Sequence, residues 1–210
     1  MSNGTSAPFG FKPIRYKNGA PYNGACTPYY APSDYATAIY VGDPVVTVAA
    51  GANDTASPEG HQIGALQEIN VATTGAGNYI TGVVVGVGPD RDDLSKQYGV
   101  ASTARVVMVA DDPDLVFIGQ EDSAGSESIL VTDLGLNTNI VAGSGGSTVT
   151  GLSSWQLDSS AANTTNTLQV KILRLHDQAN NPISSADTTA NYAIFEFIIN
   201  LHTQRYATGI

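Results

Sequence analysis

Carboxylate clusters are the residues whose type and spacing come closest to a chemical site. The clusters comprise Asp90, Asp92 and Asp93, and Asp111, Asp112 and Asp114. Paired carboxylates can bind calcium or act as general acid and base. Neither cluster has the D-x-D-x-D-G loop with a distal Glu that is typical of a calcium site. The second cluster surrounds Pro113 between two predicted strands, so a turn is the preferred interpretation, with a contact patch or a metal site as alternatives.

Other catalytic patterns are incomplete. The histidines, His61, His176 and His202, are scattered without a His-x-x-x-His pair, and a structural role is expected for each. Residues 82–88 are rich in glycine but lack the spacing of a dinucleotide or phosphate loop, so they predict a curved strand. The lone Cys26 can form neither an internal disulfide nor a cysteine-rich zinc site. We therefore predict no enzyme activity, no metal and no cofactor.

Charge excludes further classes of protein. The 210 residues contain 19 acids and 9 bases, a formal net charge of −10, and this balance argues against binding to nucleic acid or to an anionic membrane. The first 36 residues carry Lys12, Arg15 and Lys17 against Asp34 alone, which leaves 6 bases and 18 acids for the rest. The start of the chain has no signal-peptide pattern and no apolar run is long enough for a spanning helix, so synthesis in a cytoplasm is expected.

The chain from about residue 37 is patterned as strands. Short β-branched and aromatic runs recur between Gly, Pro, Asp and Asn, and residues 168–175 and 194–198 alternate between apolar and polar. Residues 90–98 predict the one short helix. We expect a single all-β domain over residues 37–210, a barrel or sandwich with Greek-key character. Residues 143–167, rich in Ser, Thr and Gly, form an ordered excursion in which Trp155 packs either on the barrel or on a neighbouring molecule.

The first 36 residues predict a different structure. They hold seven of the sixteen aromatic residues and five of the ten prolines, a density that favours an extended arm. The entropy of ordering such an arm exceeds what its aromatics return on burial, so we expect it to be mobile until it binds a partner. The alternative is that it packs across its own domain. The expected partner contacts are Phe9, Phe11, Arg15, Tyr16, Tyr22, Tyr29, Tyr30 and Tyr35, with Trp155 as a further contact from the loop.

Six blocks of sequence share a likeness to one known family: residues 11–16, 18–24, 29–34, 38–45, 101–114 and 168–175. They span most of the chain, and none contains a catalytic fingerprint. These blocks resemble capsid decoration, or cement, proteins of tailed bacteriophages.

The resemblance implies a virion structural protein that is made in the bacterial host cytoplasm. It would bind the major capsid protein on the outer surface of an assembled head and stabilise that head. It also implies a homo-oligomer, with a trimer favoured over a dimer. The acidic charge balance predicts no contact with nucleic acid or membrane. Strand addition at a sheet edge and aromatic anchors in partner grooves are the expected modes of binding. The alternative is a carbohydrate- or receptor-binding module of a tail or fibre, with Trp155 and its loop as the ligand site.

Overall fold

The computed structural model describes residues 5–53, 60–90, 92–123, 127–181, 183 and 191–205. The fold is all-β, as the sequence predicts, with a closed five-stranded barrel and further sheets. The described strands are β1 Lys12–Tyr16, β2 Thr27–Ala31, β3 Pro44–Ala52, β4 Gln67–Val71, β5 Gly82–Val87, β6 Arg105–Ala110, β7 Leu115–Gln120, β8 Asn137–Thr138, β9 Ile140–Val141, β10 Gln156–Leu157, β11 Val170–Leu175 and β12 Ile194–Ile199. Single 3₁₀ turns occur at Val131–Asp133 and Thr203–Arg205.

The barrel follows from a set of short β-branched strands. Its strand order is β2-β4-β3-β5-β6, closed between β6 and β2. Val45, Ile69, Val107 and Val109 fill its interior, where β-branched side chains pack well on a pleated surface. Closure leaves no free edge in this sheet, which removes a route to edge-to-edge aggregation.

A five-stranded sheet of order β1-β7-β12-β11-β8 forms the second layer. Alternate residues of its strands point into the core, with Phe117, Phe195 and Phe197 each no more than 1% exposed. Phe117 and Phe197 stack with their ring centroids 5.9 Å apart. The opposite face of the sheet carries Glu196, which the alternation of apolar and polar residues at positions 194–198 predicts to be exposed to solvent. Glu196 is instead 3% exposed, because arginine side chains cover it.

The N-terminal segment is built into both sheets, so the expectation of an arm that is mobile on its own is wrong. Strand β1 pairs with β7, and β2 pairs with β6 and in parallel with β4. Phe11 donates its backbone N–H to the carbonyl of Gly42 at 2.9 Å. Backbone hydrogen bonds in three strand pairings add to the burial of the aromatic side chains, and together they offset the entropy of ordering the segment.

The excursion at residues 143–167 is ordered within its own domain. Trp155 is 7% exposed and belongs to the main apolar cluster, so it packs on the core. Strand β10 follows it directly and pairs with β9, which anchors the loop at Gln156 and Leu157. Of the two packing partners that the sequence left open for Trp155, the structure shows the core and not a neighbouring molecule.

The predicted short helix at residues 90–98 is absent from the described part of that range, which forms bends and turns. Asp90 accepts backbone N–H bonds from Asp92 and Asp93 and forms an ion pair with the buried Arg105. Side-chain to backbone bonds of this kind stabilise a turn in competition with a helix. No helix among the described residues has the length and apolar character needed to cross a bilayer.

A buried carboxylate at the end of β7 makes the stability depend on pH. Glu121 is fully buried and accepts the backbone N–H groups of Ile129 at 2.6 Å and Ala193 at 3.1 Å. Burial raises the pKa of Glu121 from 4.5 to about 7, against the lowering effect of those two hydrogen bonds. The folded protein therefore prefers the protonated carboxyl. The stability that follows is complete below about pH 4.5 and is lost as the pH rises towards 7.

We predict that Glu121→Gln gains stability relative to the wild type as the pH rises. The amide cannot ionise, so the free energy of unfolding of the variant should improve on the wild type by about 3 kcal/mol between pH 4.5 and 8. Urea unfolding at several pH values measures the difference. The hydrogen bond lost to the amide nitrogen shifts the curve equally at every pH. A difference that does not change with pH would show that Glu121 has an ordinary pKa.

Candidate functional site

Three of the seven aromatic residues of the N-terminal segment that are expected to contact a partner are buried inside the protein. Phe11, Tyr29 and Tyr30 are each no more than 4% exposed. The Phe11 ring meets that of Phe197 edge-on, with centroids 4.9 Å apart. A Cβ at Gly119 would lie 2.6 Å from Phe11 Cδ1, so the absence of a side chain there makes room for the ring. These side chains stabilise the fold and present no surface.

The remaining aromatics of the segment are half-buried, and three of the tyrosine hydroxyls, including that of the buried Tyr29, have partners. Tyr29 donates to Asp111 at 2.9 Å, Tyr22 donates to the carbonyl of Ala25 at 2.9 Å, and Tyr35 accepts the N–H of Val71 at 2.9 Å. Phe9 and Tyr16 are also half-buried, and Tyr16 packs against the main cluster.

The outer edge of β1 is also occupied, which bears on strand addition. Ile14 accepts the N–H of Tyr22 at 3.1 Å, and Tyr16 donates to the carbonyl of Ala20 at 2.8 Å. The chain after β1 thus folds back along the edge that a partner strand would need. Since the rings are buried or half-buried and the edge of β1 is occupied, the exposed face of the sheet is the surface that this segment offers to a partner.

Arg15 is the one expected contact that reaches a charged, solvent-facing cluster. Its Nη2 lies 2.7 Å from Glu196 Oε2. Arg174 binds the same carboxylate through Nε at 2.9 Å and Nη2 at 3.1 Å, in the two-point geometry that a guanidinium favours. His176 Nδ1 stands 3.4 Å from Glu196 Oε1. One buried carboxylate therefore fixes two arginines from strands β1 and β11 side by side.

The protonation of Glu196 follows from this arrangement. Burial by itself would raise the pKa of Glu196, but hydrogen bonds from Arg174, Arg15 and His176 outweigh burial and leave the pKa below its usual value. The carboxylate is therefore ionised at neutral pH. It compensates one of the two arginine charges and leaves the other as a surplus.

Two lysines extend this cluster into a basic face. Lys12 lies opposite Ile118 on β7, Ile118 lies opposite Glu196, and Glu196 lies opposite Arg174, so these residues form one row across four strands. Lys171, on the same side of β11, lies opposite Ile198. We call Lys12, Arg15, Lys171 and Arg174 the basic face.

The basic face concentrates charge that is scarce in this protein. It holds four of the nine Lys and Arg residues. Lys12 and Lys171 are exposed, as is Arg174, whose side chain is 60% accessible. Neither lysine is paired with an acid in the part of the chain that the structure describes. Glu196 is the only acid on the strands of this sheet, and Asp177, just after β11, acts on Arg174.

The acidic cluster around Pro113 is a turn, the preferred interpretation of its sequence. Asp112 accepts the N–H of Asp114 at 2.8 Å, and Asp114 pairs with Arg205 at 2.7 Å and with Lys17 at 3.7 Å. Asp111 binds the Tyr29 hydroxyl. Among the described residues, no three His, Cys, Asp or Glu side chains are grouped to hold a metal ion.

Comparison of the chain with protein-family models, with curated proteins and with solved structures finds no match.

We predict that Phe11→Ala destabilises the protein strongly. Removal of a ring packed against Gly119 and Phe197 should cost about 3–5 kcal/mol, the usual range for a buried aromatic truncated to alanine. Phe9→Ala is the matched control, and its half-buried ring should cost less. Chemical denaturation measures both. Equal and small losses would show that the N-terminal segment is not docked on the sheet.

Proposed function

We propose that this protein is a virion structural protein that decorates the outer surface of a phage head and stabilises it through protein contacts. The basic face is the observation that carries the proposal. An otherwise acidic protein places four basic side chains on one side of a rigid sheet, and electrostatic complementarity of this kind directs docking and orientation. The resemblance to capsid decoration proteins supplies the identity of the partner, the major capsid protein.

In this proposal the protein binds the head through its basic face. Lys12 and Arg174 lie three strands apart, about 14 Å across the sheet, which is the scale of a patch of several side chains on a partner. Several copies placed around a symmetry axis of the head, as a trimer or a dimer, would each apply one basic face to acidic residues of the capsid. Contacts that span neighbouring capsid subunits then oppose their separation.

Assembled heads of the virus that encodes this chain provide the direct test. Purified protein should co-sediment with heads that lack it, and electron microscopy should show it as added density on the outside at symmetry-related positions. Heads bearing it should resist heat better than bare heads. Failure to bind, or density on the inner surface, would contradict the proposed function.

We predict that charge reversal on the basic face weakens this binding. Lys12→Glu combined with Lys171→Glu replaces two attractions with two repulsions, and occupancy on heads should fall at least tenfold at low ionic strength. Added salt should weaken wild-type binding in the same direction. Both lysines are exposed, so the fold should be retained, and circular dichroism checks this.

The matched control is Lys96→Glu, compared with Lys171→Glu alone. Lys96 is also partly exposed, and it pairs with Asp93 in the turns that precede β6, outside the strands of the five-stranded sheet. The two single variants have the same net charge, so a general repulsion between the protein and the head would affect both equally. Equal loss in the two variants would mean that the basic face is not the docking surface.

A further inference from the structure

A cleft beside the barrel has the features of a second binding site, independent of the proposed function. It has a volume of about 250 Å³ and lies between the loop that precedes β3 and the excursion that follows β9. Its walls combine aromatic, aliphatic and hydroxyl groups with one carboxylate. The residues that define it are Tyr40, Asp43, Val71, Ala142, Ser154 and Trp155.

The carboxylate of Asp43 is the unusual element of this cleft. Asp43 is 3% exposed, and no Lys, Arg or His among the described residues forms an ion pair with it. It accepts the backbone N–H of Tyr40 at 2.7 Å and a hydrogen bond from the Ser153 hydroxyl. These are neutral donors. A buried carboxylate that meets only neutral donors keeps an electrostatic cost that a cation would remove.

The aromatic walls are held in place by their surroundings. Tyr40 stacks on Tyr98 with ring centroids 5.1 Å apart and planes inclined by 16°. Gly146 lies against the Tyr40 ring so closely that a Cβ there would collide with it. Trp155 is tied to Asp43 through one residue, because Ser153 Oγ accepts the Trp155 backbone N–H at 3.1 Å. The cleft is therefore formed before any ligand arrives.

We propose that this cleft binds a small organic cation: an alkylammonium group, either of a free amine or of a lysine side chain. The ammonium would approach Asp43 and supply the missing charge, while the alkyl portion would lie against Val71, Ala142 and the aromatic walls. Aromatic rings with a carboxylate are a common combination for ammonium recognition.

A neutral sugar fits these observations less well. Trp155 is only 7% exposed, so it offers little ring surface for a sugar to stack on. A sugar would also leave the Asp43 charge uncompensated. Trp155 nevertheless gives a direct readout for either ligand, since it is the only tryptophan in the sequence.

Fluorescence of Trp155 tests the proposal on the full chain. Titration with n-butylammonium at pH 8 should change the emission and saturate, and 1-butanol of similar shape should bind at least tenfold more weakly. Nα-acetyl-lysine amide should behave like n-butylammonium if the group can be a lysine side chain. Galactose, glucose and N-acetylglucosamine should have no effect. Saturation by a saccharide without saturation by n-butylammonium would overturn the proposal in favour of a carbohydrate site.

Asp43→Asn removes the charge with little change of shape and should abolish the preference for n-butylammonium over 1-butanol. Glu121→Gln, which replaces a buried carboxylate outside the cleft, is the matched control and should retain that preference. If Asp43→Asn does not fold, the wild type at decreasing pH decides. Burial raises the pKa of Asp43 to about 6, so n-butylammonium affinity should fall between pH 8 and 5 while that of 1-butanol stays constant. A preference unchanged by either treatment would overturn the proposal.

Discussion

Two strands of the N-terminal segment, through three strand pairings, support the rest of the structure. Strand β2 lies between β6 and β4 and closes the barrel, and β1 completes the five-stranded sheet beside β7. Without β2 the barrel would expose two open edges, and without β1 the ring of Phe11 would leave the core. The same segment also delivers Lys12 and Arg15 to the basic face. Fold and candidate surface therefore depend on the same backbone hydrogen bonds.

The acids with little solvent exposure fall into two groups, according to the groups that face them. The buried Glu196 faces two arginines and the half-buried Asp90 faces one, and these ion pairs are fixed parts of the structure. Glu121 and Asp43 meet only neutral hydrogen-bond donors, and burial raises the pKa of both. Glu121 is enclosed by Ile129 and Ala193, so the free-energy cost of burying its ionised carboxylate appears as a pH-dependent loss of stability. Asp43 lines a cleft, so a cationic ligand can reduce the same cost there. The difference in surroundings separates a structural acid from a binding one.

The sequence predicts the fold class and much of the core because alternation is a local property. Val170 and Ile172 face inward as their spacing indicates. The sequence does not predict the strands of the N-terminal segment, because proline at this density disfavours the hydrogen-bond ladder of a sheet. Pro13 lies in an edge strand, where a missing N–H is tolerated, and Pro28 lies near the start of β2, before Tyr30, the residue through which β2 pairs with β4. The prediction of a helix at residues 90–98 is wrong because Asp90 pairs with Arg105, which is outside this local stretch, and is thereby held in a turn. The basic face depends on strand order, which no local pattern contains.

The distribution of charge between strands and connections explains how an acidic protein can carry a basic surface. Among the described strands, acids occur only at Glu68 and Glu196, whereas five of the nine bases lie on strands. Acids in turns suit turn chemistry, since Asp accepts nearby backbone N–H groups. Lys12, Lys171 and Arg174 project into solvent from the five-stranded sheet. At physiological salt the Debye length is about 8 Å, so this separation orients the protein only at near contact. The charges therefore select which face docks, and shape and apolar contact must supply the remaining binding energy.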